Sequence, residues 1–312
     1  MNRWESTLSE YMEELEVRGL VEQSKLRISG EISKFGMWLR QGKPKPRIEE
    51  IGMEKITMYL KRRSKFKSRS TISSHISTLR CFGEFLVRKG LWRENPLKWL
   101  KGPKILAYGK VARRVSQEQI YKIMEAIISN RDSIHRQLYS SLLLVLYGTG
   151  LRRGELVRLN MADWDKTEMR LQIDGQKTGR PRRVPVPIQV AEAIESWLPH
   201  RQNILDRMGK KCEEALFINK NGNRVTGEQV TRNIQNFGKK GQIKDIRIHQ
   251  FRHSCASDLV EAGVEMHKVS EVLGHSCLTT TKRYMEISDP QRRAAMVKHP
   301  INEMIEKQEV VA

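Results

Sequence analysis

Cysteine is scarce in this sequence, with four in 312 residues, and Cys81, Cys212, Cys255 and Cys277 are scattered without a C-x-x-C pair. That argues against a disulfide framework and suits a reducing compartment. No stretch approaches the ~20 apolar residues of a membrane span. The opening residues carry five glutamates before Val17 and no apolar run, so they do not read as a signal peptide. Internal repeats and low-complexity tracts are missing as well. These absences predict a soluble, cytoplasmic protein. Acidic charge is the last deficit: 36 acidic against 57 basic residues leave a formal net charge of +21. Such an excess favours an acidic polymer as partner, while a solvated basic surface or attraction to an anionic membrane is the plainer explanation. The length leaves room for two domains, each with a core of its own.

What the chain does have is concentrated between His249 and Tyr284. His249 and Arg252 stand three apart, so on a helix they share a face and can aim two donors at one anion. Phe251, Cys255 and Leu259, about one turn apart, would be buried on the other side. His275 and Tyr284 follow. A tyrosine is a poor nucleophile near neutrality because its pKa is about 10. Arginines that neutralise a phosphodiester, and a histidine that orients it or accepts the phenolic proton, can change that. The set suits covalent phosphoryl transfer on nucleic acid without a metal or other cofactor.

These residues resemble those of the tyrosine recombinases, the integrases of the Xer and Cre type. The stretch Thr149-Gly150-Leu151-Arg152-Arg153-Gly154-Glu155-Leu156 is similar to the family's first arginine motif, His249 to Arg252 to its HxxR motif, and Leu273-Gly274-His275 to its LGH segment. Tyr284 falls at the nucleophile position. The family's hairpin lysine most resembles Lys177, although the surrounding hairpin lacks the usual Gly-Lys-Gly beginning. The resemblance implies that Tyr284 attacks to give a 3′-phosphotyrosine, that Arg152 and Arg252 grip the phosphate, and that Glu155 supports Arg152. His249 would be base or phosphate ligand, His275 would support the phosphate, and Lys177 would protonate the leaving 5′ oxygen. It also implies a double-stranded recombination site as partner, a homotetramer on paired sites that is monomer or dimer when free, and a Holliday junction.

The fold that goes with it is mainly α with a small β-sheet or hairpin, arranged as a two-domain DNA clamp. Residues 1–103 would form a helical, SAM-like core-binding domain, 104–115 a linker and 116–299 the catalytic domain. In the first, helical spacing links Leu8, Tyr11, Met12 and Leu15 after Ser6 as N-cap, then Leu26, Ile28, Ile32, Phe35, Trp38 and Leu39, then Ile56, Tyr59 and Leu60. The basic run 61–70, with Arg62, Arg63, Lys65, Lys67, Arg69 and interleaved serines, reads as DNA-backbone-binding, or else as an exposed polar loop. Ile72, Ile76, Leu79, Phe82 and Leu86 form a core stripe, leaving Ser73, Ser74, Ser77 and Arg80 as a polar face towards DNA.

In the second domain Ser116 caps a helix, and an apolar helix from Leu138 to Tyr147 stops at Gly148-Thr149-Gly150 so that Arg152 enters the site. Alternation over 170–173 and 183–188 predicts a hairpin whose tip holds Lys177, Arg180, Arg182 and Arg183, the arginines as phosphate contacts. Val190 to Leu198 reads as helix, Leu216-Phe217-Ile218 as a short strand, and Thr226 to Phe237 as helix. Residues 300–312 place Ile301, Met304 and Ile305 on one face, too few to hold a helix alone; they fray, pack on their own domain, or dock on a neighbouring protomer.

Three other readings compete. His249, His253, Cys255, His275 and Cys277 could bind zinc, since His249 and His253 have i, i+4 spacing. A type IB topoisomerase shares the chemistry, and a regulator could keep the fold without catalysis.

Overall fold

The computed structural model describes residues 3–42, 46–104, 114–175, 181–210 and 213–274. The chain divides into two compact units, Met1–Gly109 and Lys110–Ala312. The Lys177, Arg180, His275 and Tyr284 assignments, and the tail 300–312, lie outside the described residues.

In the first unit four helices are described: α1 (Arg3–Val17), α2 (Glu22–Gln41), α3 (Met53–Ser64) and α4 (Arg69–Arg88). Their apolar stripes meet in an aromatic core in which Phe35 lies 4.9 Å from Tyr59 and Tyr11 lies 5.0 Å from Phe85, ring centre to ring centre. Helix α1 starts three residues ahead of the expected cap at Ser6. The cause is Trp4, whose indole lies on the bare Cα of Gly36, where a Cβ would come within 2.2 Å. That packing holds the first turn in place. Leu26, expected in the core, is 66 % exposed. It sits six residues before Ile32, about 240° round the helix from the buried stripe.

The basic run is not one loop. Lys61–Ser64 is the last turn of α3, where cations complement the helix dipole, and Arg69 opens α4. Its serines have local tasks: Ser64 Oγ donates to the Lys61 carbonyl (2.8 Å), and Ser68 Oγ caps α4 by accepting from the Thr71 N–H (3.2 Å). Arg80 is drawn inward, its Nε–H donating to the Leu97 carbonyl at 3.0 Å and its Nη2 to that of Leu100. It ties down the chain after α4, which accounts for its place without DNA.

The second unit is built round α6 (Ser133–Thr149), with Leu142, Leu143, Val145 and Leu146 fully buried. Each such side chain contributes roughly 1.5–3 kcal/mol through burial. Packed on it are α5 (Gln117–Ile128), α8 (Ile188–Arg207), α9 (Gly227–Lys240) and α10 (Ile248–Glu261). Ser116 caps α5 as expected, with Gln119 as its reciprocal partner. Helix α8 runs past Pro199 to Arg207, because Ile204 and Leu205 are buried beyond it and the Arg201 guanidinium donates to the Ala215 carbonyl at 2.9 Å. The apolar run Leu216–Ile218 is buried, but its segment forms isolated bridges instead of a ladder strand.

Between α7 (Arg153–Arg158) and α8 lies an antiparallel sheet of order β1-β2-β3: Trp164–Asp165, Arg170–Ile173 and Arg182–Pro185. Leu171 pairs with Val184 and Ile173 with Arg182. Arg182 and Arg183 therefore belong to a paired strand and not to the tip. Helix α11 (Met266–Leu273) ends the described chain at Gly274. No described helix is long and apolar enough to cross a membrane.

Candidate active site

Helix α6 is stopped by Gly150, whose φ of 63° suits glycine and whose added Cβ would meet Leu273 Cδ2 at 2.4 Å. Two residues later Arg152 is the N-cap of α7. Its backbone N–H donates to Glu155 Oε2 (2.8 Å) and its Nη1 to Glu155 Oε1 (2.8 Å). Glu155, 4 % exposed, also takes both Nη groups of Arg182, at 3.1 and 3.0 Å. Burial alone would raise this carboxyl, but the hydrogen bonds from Arg182 and then Arg152 outweigh it and hold it at about 2.

Three arginines from three elements meet at the end of α11. Arg182 Nε donates to the Val272 carbonyl (3.2 Å), Arg252 Nη2 to that of Leu273 (2.6 Å) and Arg152 Nη2 to that of Gly274 (3.3 Å). The last carbonyls of a helix lack intrahelical donors and carry its negative end, so they attract cations. Arg252 also donates through Nη1 to the Gly150 carbonyl at 2.8 Å, joining the end of α6 to the end of α11. It is 4 % exposed. The spacing of His249 and Arg252 on one helix is as read, yet only His249, in the first turn of α10, is exposed. Arg252 is buried because its guanidinium spans two other elements.

Phe251 and Cys255 are buried, and Leu259 is half-buried. Burial pushes the Cys255 thiol up to about 12. The thiol packs beside Gly150, and among the described residues no three His, Cys, Asp or Glu side chains gather as a metal site would need. His275 and Cys277 of that alternative set lie outside the described residues.

Helix α10 is held by two contacts the sequence did not suggest. Ser254 Oγ accepts from the Val115 N–H (2.9 Å) and donates to the Val115 carbonyl (2.7 Å), and Tyr147 Oη donates to Asp258 Oδ2 (2.6 Å). The burial of Tyr147, with that carboxylate beside it, raises its phenol well above the usual range. The pairing of Arg182 with Glu155 was also missed. One signal for it existed: with period-two alternation Arg182 shares the face of buried Val184, while Arg183 lies on the exposed face with Pro185. In the first unit Arg62, Lys65, Lys67 and Arg69 are exposed and Arg63 is half-buried.

Residues 113–291 match the phage integrase family. The chain is 32 % identical to tyrosine recombinase XerC of Thermodesulfovibrio yellowstonii, over 72 % of this chain and 73 % of that protein. The chain belongs to the tyrosine recombinases of the phage integrase family. A second relative of this family, XerD of Oceanobacillus iheyensis, is 30 % identical over 71 % of this chain and 73 % of its own. Among solved tyrosine recombinase folds, XerH bound to a palindromic difH substrate aligns with a TM-score of 0.73 at 18 % identity, covering 90 % of this chain and 81 % of that one. A lambda integrase dimer on a COC′ core site aligns at 0.67 and 20 % identity, covering 91 % and 96 %. As a tyrosine recombinase the protein is an enzyme of site-specific DNA recombination.

Proposed function

We propose that this recombinase cleaves a double-stranded recombination site through Tyr284, forming a 3′-phosphotyrosine and a free 5′-hydroxyl. Arg152 and Arg252 bind the non-bridging oxygens and stabilise the charge that grows on them. His249 orients the phosphate or accepts the phenolic proton, His275 supports the phosphate, and Lys177 protonates the leaving oxygen. Guanidinium groups take the part a metal would otherwise play, and the covalent bond conserves the phosphodiester energy, so rejoining needs no ATP. The first unit acts as core-binding domain, with Arg62, Arg63, Lys65, Lys67 and Arg69 on the DNA backbone; Arg180 and Arg183 make further phosphate contacts. Four protomers on paired sites exchange strands through a Holliday junction, residues 300–312 docking on a neighbour, in the cytoplasm.

The observation that carries this reading is the meeting of Arg152 and Arg252 on successive carbonyls, Gly274 and Leu273, directly before His275. Two motifs about a hundred residues apart in sequence thus serve one short segment. The exposed imidazole of His249, in the first turn of α10, adds a donor at the positive end of a helix. Relatives that are recombinases, and not type IB topoisomerases, favour strand exchange over relaxation.

A nicked suicide substrate tests the nucleophile. Wild-type protein should form a covalent adduct mapping to Tyr284, and Tyr284→Phe should bind the same site without forming one. Undiminished adduct in Tyr284→Phe would overturn the assignment.

A further inference from the structure

We infer that Arg182 is a positioning residue that keeps the Arg152 guanidinium available to the scissile phosphate, rather than a DNA contact. The inference rests on the proposed role of Arg152. Its geometric basis is the Glu155 carboxylate, which has about four lone-pair sites. All four are taken: Oε1 by Arg152 Nη1 and Arg182 Nη1, Oε2 by the Arg152 backbone N–H and Arg182 Nη2. Arg152 therefore reaches Glu155 with one side-chain donor instead of the two-pronged grip that arginine and carboxylate ordinarily form. Arg182 occupies the positions that such a grip would need.

Charge leads to the same conclusion. One carboxylate between two guanidinium groups leaves the trio with a net positive charge, whereas Glu155 with Arg152 alone would be a neutral pair. A neutral pair would stabilise far less of the charge that grows on the phosphate in the transition state. The position of Arg182 is also built in from the other side. Its Nε holds the Val272 carbonyl, and a Cβ on Gly274 would come within 2.8 Å of its Cδ and Nε. The glycine of the Leu273-Gly274-His275 segment thus makes room for this side chain as well as taking up a φ of 64°. All three nitrogens of the Arg182 guanidinium already donate to oxygens of the protein, two of them to Glu155, whereas Arg183 stands exposed on the opposite face of β3.

The test uses the full chain on a half-site suicide substrate, reading affinity, its salt dependence and the rate of covalent adduct formation at saturating DNA. Arg182→Gln should slow adduct formation by about ten-fold or more while affinity and salt slope stay at the parent's values. Adding Glu155→Gln removes the competing charge, so the double variant should react faster than Arg182→Gln alone. A purely structural role predicts the reverse, since a second buried substitution only adds damage. Should Arg182→Gln fail to fold, Arg182→Lys serves: it keeps the charge but cannot hold both Glu155 oxygens and the Val272 carbonyl, so adduct formation must still fall with affinity intact. Three results overturn the inference: weakened binding with a flattened salt slope and normal cleavage of the bound complex, adduct formation at the parent rate in the Arg182 variants, or a double variant slower than Arg182→Gln alone. Arg152→Ala and Tyr284→Phe run in parallel separate this inference from its premise, since adduct at the parent rate in Arg152→Ala removes the premise itself. Adduct lost there but normal in the Arg182 variants sinks only the role of Arg182, whereas adduct surviving in Tyr284→Phe sinks the catalytic reading itself.

Discussion

Two clusters of cationic side chains in this protein obey different physics. At the end of α11, Arg152, Arg182 and Arg252 are held by named carbonyls and a carboxylate, and their side chains are largely or wholly shielded from water. Around the turn between α3 and α4, Arg62, Lys65, Lys67 and Arg69 stand in solvent. A fixed guanidinium in a shielded place gives direction to its charge, and salt screens it little. An exposed lysine gives only potential, which falls off within a Debye length of about 8 Å at physiological ionic strength. The contrast teaches that the +21 net charge is not one quantity: part is architecture and part is attraction.

The sharpest way to break this division is Arg252→Ala, which should lower cleavage of the bound complex by ~100-fold or more. Arg252→Lys should rescue little, because one ammonium cannot serve the Gly150 and Leu273 carbonyls as a fork does. Cleavage near the parent level in either variant would place Arg252 among ordinary basic residues. A smaller effect is expected from Gly150→Ala, where a side chain at positive φ would also strike Leu273. Chemical denaturation should show a loss of roughly 1–3 kcal/mol, and an unchanged midpoint would mean that the end of α11 can move aside freely.

Arg69→Ala belongs to the other cluster. It should weaken binding across all DNA sequences and reduce the slope of log affinity against log salt by about 0.9, with far less effect on the cleavage of saturated complexes. A large cleavage defect with an intact salt slope would contradict the comparison. The mildest signature is in acid. Glu155 is held at about 2 in the folded protein against an ordinary 4.5, so its ion network stabilises the fold fully above the ordinary value and is lost as pH falls from there towards 2. Denaturation followed between pH 5 and about pH 2.5 should be steeper for the parent than for Glu155→Gln.

Legibility in the sequence followed the same split between local and distant causes. The α4 stripe from Ile72 to Leu86, the apolar α6 and the Ser116 cap were readable because periodicity and capping act within a few residues. Ser64 and Ser68 each have a backbone partner within three residues, a local task that helix-end capping makes as legible as the basic run itself. The internal partners of Arg80, Arg201 and Arg252 were unreadable for another reason. They are backbone carbonyls, Leu97, Ala215, Gly150 and Leu273 among them, and a carbonyl leaves no trace in residue identity. The two-residue strand β1 is too short to alternate. Arg182 stood between these cases, legible through strand alternation but masked by the expectation that a basic hairpin touches DNA.

The meeting of arginines at the end of α11 also orders events in the life of the chain. Arg252 reaches back 102 residues to the Gly150 carbonyl, and Arg152 reaches forward 122 residues to that of Gly274. Contacts of such sequence separation close late, after local helices have formed, and during synthesis they cannot exist until the later partner has left the ribosome. The exposed cations of the first unit are complete long before. Under the proposed roles, a nascent chain adheres to DNA before it has any means to nick it, and cutting competence arrives only with the finished fold.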